Sequence, residues 1–108
     1  MEHVIDLTYE IGHGQIILKL QTPSGTHELK GFEVLLKEHL WKVLESDFED
    51  SELFFRDQPY QKLTMSKKDD ILDLKIDYPD NDMKDVEMKV NKPEFEEFLQ
   101  NINNDLKD

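Results

Sequence analysis

Phe32-Glu-Val-Leu-Leu-Lys-Glu-His-Leu-Trp-Lys-Val-Leu44 is the stretch on which the fold turns. Phe32, Leu35, Leu36, His39, Leu40, Val43 and Leu44 recur at spacings of three and four, the stripe of an amphipathic helix. Glu33, Lys37, Glu38, Lys42 and Glu45 fall on the opposite side. Gly31 ahead of it reads as the end of a strand. Behind it, Ser46-Asp47-Phe48-Glu49-Asp50-Ser51-Glu52 is too rich in acids and cap-forming residues to carry a helix onward, and reads as an acidic loop.

Working outward, the period changes from 3.6 to two. Ile5, Leu7, Tyr9 and Ile11 alternate with Asp6, Thr8 and Glu10, as in a strand with one buried face. Gly12-His13-Gly14 supplies residues that tolerate positive φ, and Ile16, Leu18 and Leu20 then resume the alternation, so a hairpin is expected. Thr22-Pro23-Ser24-Gly25 is a second turn, leading to a short strand from Thr26 to Lys30.

Downstream, Leu53 to Arg56 is β-prone and Asp57-Gln58-Pro59 closes it; Tyr60 to Met65 alternates without declaring its inner side. Leu72, Leu74, Ile76 and Tyr78 read as inward, with Asp73, Lys75 and Asp77 outward. After the turn Pro79-Asp80-Asn81-Asp82, Val86, Met88 and Val90 alternate with Asp85, Glu87 and Lys89. A last helix begins near Pro93, with Asn91 and Glu94 at capping-box spacing and Phe95, Phe98, Leu99, Ile102 and Leu106 along one stripe. The expected architecture over residues 1 to 108 is one acidic α+β domain. It is a curled, mostly antiparallel sheet of about six or seven strands with two helices packed on one face, in the order βββαββββα.

Composition narrows the function. The chain has 25 acids, 13 bases and a formal net charge of −12, a field that repels nucleic acid and anionic lipid and attracts basic surfaces. Of these, 19 acids and nine bases lie in residues 45 to 108. With no cysteine there is no disulfide, thiolate metal site or thiol nucleophile, as suits a reducing cytosol. The first residues have no basic and apolar signal pattern, and no apolar run exceeds three residues, so a cytoplasmic protein without a membrane span is expected.

Motifs for chemistry are wanting. His3, His13, His27 and His39 lack the helical spacing of metal ligands, so no metal and no cofactor is expected. His13 reads as a turn residue and His39 as half-buried. The run from Asp77 to Glu87 suggests calcium, but a loop begun at Asp77 or Asp80 puts Met88 or Asn91 where a bidentate Glu belongs and lacks the mid-loop glycine. There is no nucleophile motif and no phosphate loop, and Arg56 is the only arginine, expected to pair with a nearby acid. A non-enzymatic role follows.

Two readings of different class result. In the first, the chain is an acidic inhibitor of a basic protein partner, a toxin or nuclease, in the manner of an immunity protein. Its contact surface is expected at Asp47, Phe48, Glu49, Asp50 and Glu52 in the loop and at Asp73, Asp77, Asp85 and Glu87 on the outer face of the late strands. Phe48, Phe54, Phe55, Tyr60 and Tyr78 are the candidate aromatic anchors. In the second, the chain is a homodimeric structural or regulatory adaptor, joined through an exposed strand edge or an apolar patch around Val34 and Trp41. Ordinary solubility also accounts for a charged outer face.

Overall fold

The computed structural model describes residues 1 to 106. The N-terminal half comprises β1 (Glu2–His3), β2 (Asp6–Gly12), β3 (Gln15–Thr22), β4 (Gly25–Phe32) and α1 (Glu33–Glu45). The remainder comprises β5 (Ser51–Phe55), β6 (Gln61–Lys68), β7 (Ile71–Asp77), β8 (Val86–Asn91) and α2 (Lys92–Leu106). This is the α+β order the periodicity predicts, once β1 and β2 are counted as one N-terminal strand with a break at Val4 and Ile5.

That break divides the expected single sheet in two. One sheet has the order β1-β8-β7-β6-β5, and the other is an antiparallel β2-β3-β4 meander. The Val4 N–H donates to the Lys89 carbonyl at 2.8 Å, and the next N–H, that of Ile5, donates to the Gln21 carbonyl at 2.7 Å. The chain therefore changes sheets within two residues. Alternation in a sequence reports which face is buried and says nothing of which strand lies alongside, so the adjacent apolar pair Val4-Ile5 breaks the period without showing that the chain changes sheets.

Local chemistry shapes each element. His13 and Gly14 form a two-residue turn with φ of 55° and 79°, the positive pair that a tight hairpin between right-twisted strands demands. At α2, the Asn91 side chain accepts the Glu94 N–H at 3.3 Å, which is the Asn91 half of the capping box anticipated from spacing. Phe95, Phe98, Leu99, Ile102 and Leu106 are all buried. They join the inner faces of both sheets and Leu36, Leu40 and Val43 of α1 in one core cluster. The helices touch each other, α1 lying over β4 and β5 and α2 over β2 and β8. Each helix thus covers one of the two places where the sheets meet.

At the β4 side, the seam is sealed by hydrogen bonds. The two-residue turn at Pro23 and Ser24 makes Thr22 and Gly25 a bonded pair, so the backbone groups of Glu28 and Lys30 point away from β3. The buried Gln61 amide fills that gap: its Nε2 donates to the Glu28 carbonyl at 2.8 Å and its Oε1 accepts the Lys30 N–H at 3.2 Å. The Asp57 N–H donates to the Lys30 carbonyl at 3.2 Å. Gly31 does not end the strand as expected; β4 continues to Phe32. A Cβ at Gly31 would lie 3.1 Å from the Phe55 ring and 3.4 Å from its Cα, so the missing side chain lets β5 close against β4.

Two substitutions test this seam by urea denaturation. Gln61→Leu keeps the volume but strands a buried donor and acceptor, and is expected to lower stability by about 1–3 kcal/mol. Gly31→Val overpacks the β4 contact with Phe55, for a loss of about 1–3 kcal/mol despite valine's strand preference.

Candidate partner-binding surfaces

The acidic loop after α1 is built on an unusual backbone. Asp47, Phe48 and Asp50 have φ of 56°, 63° and 47°, a left-handed conformation that is strained for any residue with a side chain, most of all for a bulky one. Tertiary contacts hold it. Phe48 is fully buried, its ring 6.1 Å from that of Phe95, so this candidate anchor belongs to the core and is not part of a contact surface. Asp47 is clamped by Lys67 at 2.8 Å and Lys92 at 2.7 Å. These two bonds, Lys67 first, hold its carboxyl down at about 2. Glu52, expected in the loop, lies in β5 and pairs with Lys62 of β6 at 3.2 Å. Glu49 and Asp50 are exposed and have no ion-pair partner among the described residues.

Because the folded pKa of Asp47 lies below its ordinary 3.8, the clamp's contribution is fully present above that value and is lost as pH falls toward about 2. Asp47→Asn keeps a side chain that tolerates positive φ while removing the charge. The variant is expected to unfold at lower urea than the wild type at neutral pH. The two midpoints should converge as pH is lowered from 4 toward 2, the range set by this shift.

The outer face of β7 and β8 is not uniformly acidic. Asp73, Asp77 and Glu87 do project from one face, but the register sets a lysine opposite each: Lys89, Lys62 and Lys75. Lys68 bonds Asp73 at 3.1 Å, and Lys75 bridges Asp77 at 3.6 Å and Asp85 at 3.4 Å. Asp77, then Asp85, raises the Lys75 pKa. Cross-strand pairs of opposite charge stabilise a sheet, so the acidic contact face expected here is instead a mixed lattice of acids and lysines.

Among the other aromatic candidates, Phe55 is fully buried, and Phe54, Tyr60 and Tyr78 are half-buried. Arg56 makes no ion pair among the described residues, contrary to expectation. Its guanidinium lies 5.5 Å from the Phe54 ring centroid and 4.9 Å from that of Tyr60, a cation–π geometry. The exposed α1 surface carries Val34 at 71% and Trp41 at 49% exposure.

A further surface was not anticipated. Val4, Ile5, Asp6 and Leu7 face Glu94, Glu97, Phe98 and Asn101 of α2 across a groove of about 250 Å³. Three of its lining residues are acids and none is a base. Ile5, expected inside, is 62% exposed at its rim. Further along, the Tyr9 hydroxyl donates to the Asp105 carboxylate, which raises the tyrosine's pKa, and the Tyr9 ring meets Phe98 edge-on at 5.7 Å. Glu94, Glu97 and Asn101 share one helix flank by their three-and-four spacing, which the sequence displays; their closeness to Asp6 is tertiary.

No helix is long and apolar enough to cross a membrane, and no group of three or more metal-ligating side chains converges among the described residues. The sequence matches no protein-family model and no curated protein.

Proposed function

We propose that this chain is a non-enzymatic acidic binding protein that inhibits a basic protein partner by occupying its positive cleft, as a toxin-neutralising immunity protein or nuclease inhibitor does. The observation that carries this reading is the groove between β2 and α2, where Asp6, Glu94 and Glu97 converge with no basic residue among the lining side chains. There the carboxylates have no ion-pair partner among the described residues and border the exposed Ile5. Glu49 and Asp50 add to the field from the loop. Asp73, Asp77, Asp85 and Glu87 contribute less, because lysines oppose them.

Electrostatic steering is the physical mechanism: complementary fields raise association rates far above those of neutral surfaces and fade as salt screens them. The test is binding to a basic nuclease encoded by an adjacent gene, at about 0.01 M and about 1 M salt, where the Debye length shrinks from about 30 Å to about 3 Å. Tight binding at low salt that weakens at high salt is expected. Glu94→Lys with Glu97→Lys is expected to slow association about tenfold at low salt. Absent or salt-insensitive binding overturns the reading.

The exposed Val34 and Trp41 favour a second reading, a homodimeric adaptor joined through α1. Sedimentation at tens of micromolar decides it: a dimer that Trp41→Lys dissociates supports the adaptor, and a monomer removes it.

A further inference from the structure

We propose that the groove between β2 and α2 captures an extended, lysine- or arginine-rich segment of a partner protein by adding it as a further strand on the open edge of β2. The proposal rests on the reading of the chain as a binder of basic partners and specifies how such a partner is held.

The backbone provides the template. The two-residue turn at His13 and Gly14 makes Gly12 and Gln15 a hydrogen-bonded pair. In an antiparallel ladder bonded pairs recur at every second residue, so Glu10, Thr8 and Asp6 bond to β3 in the same way. The N–H and C=O groups of Leu7, Tyr9 and Ile11 consequently point away from β3, and β2 is the edge of its sheet. Asp6 takes the Leu7 N–H at 3.0 Å. The Tyr9 and Ile11 N–H groups have no partner among the described residues. This contrasts with the opposite edge, β4, where the Gln61 amide and the Asp57 N–H occupy the corresponding groups.

Charge identifies the occupant. A strand added to β2 lies along the groove lined by Ile5, Asp6, Glu94, Glu97 and Phe98, whereas Glu10, further along β2, is already paired with Lys19 at 3.2 Å. Cationic side chains on that strand meet carboxylates, and its apolar residues meet Ile5. A second copy of β2 would bring Asp6, Glu94 and Glu97 against their own counterparts, where like charges repel. Backbone hydrogen bonds then give affinity and the acids give selectivity, the usual division in strand addition. An arriving cation also draws the Asp6 carboxylate from the Leu7 N–H and frees a further donor for pairing.

The test uses the full chain, labelled with ¹⁵N, and a short synthetic peptide alternating lysine and valine. Its twin is N-methylated at alternate residues along one edge, so that charge is retained and pairing is lost. The parent peptide is expected to bind, with the largest amide shifts at Leu7, Tyr9 and Ile11, and the twin to bind at least about tenfold more weakly, as loss of two backbone bonds implies. Equal affinity of the twins, or shifts confined to other faces, overturns strand addition while leaving salt-dependent capture of a basic protein intact. If the basic nuclease binds but neither peptide does, strand addition is likewise overturned. If the nuclease does not bind either, the basic-partner reading falls with it.

Discussion

Backbone hydrogen-bond saturation is the constraint on which this structure depends. A three-stranded sheet has two edges, and every inward-lying N–H and C=O at an edge must find a partner or face a desolvation penalty of about 1–3 kcal/mol. At β4 the partner is a side chain: Gln61, from the far sheet, reproduces with one amide what a neighbouring strand would offer Glu28 and Lys30. That single residue lets two sheets of different size close over one core. Gly31 permits the approach by leaving room for Phe55. At β2 the Asp6 carboxylate takes only the Leu7 N–H; α2 covers the strand's inner face through Phe98 and Tyr9 while the outward groups of Tyr9 and Ile11 have no partner among the described residues. The molecule thus has one sealed and one open edge, and the open edge is the side proposed to bind a partner.

Electrostatics follows the same division. A net charge of −12 suggests an acid-coated molecule, yet the broad outer face of β6, β7 and β8 alternates Lys62, Asp77, Lys75, Glu87, Asp73 and Lys89 across its strands. Exposed pairs of this kind contribute little stability each, about 0–1 kcal/mol, but they cancel the long-range field over that face. The uncompensated carboxylates then dominate elsewhere, at Asp6, Glu94 and Glu97 and at Glu49 and Asp50. Asp47 belongs to neither group: between Lys67 and Lys92 it ties the strained loop after α1 to β6 and α2, and the burial of Phe48 fixes the backbone that places it there.

Much of the fold was legible because it is periodic. The stripes of α1 and α2, the alternation in β3, β7 and β8, the hairpin at His13 and the Asn91 cap each depend on residues close in sequence. What could not be read depends on neighbours remote in sequence. Val4 and Ile5 are adjacent apolar residues, a break in alternation that does not by itself say that the chain changes sheets, and Gly31 looked like a strand end because its role is to admit Phe55. Phe48 sat among acids and so read as exposed, although its side chain enters the core. Lys75 and Lys89 were visible on the outer face, yet only the cross-strand register shows that they stand opposite Glu87 and Asp73. Gln61 carried no signal at all, since a buried amide bridging two sheets has no sequence pattern.

Amide hydrogen exchange of the free protein, followed residue by residue, bears most directly on the contrast between the edges. Tyr9 and Ile11 should exchange far faster than Thr8 and Glu10, their bonded neighbours on the same strand, while Lys30 on the opposite edge should be protected like the latter. Protection of Tyr9 and Ile11 equal to that of Thr8 and Glu10 would mean that the β2 edge is already occupied, and would contradict the account.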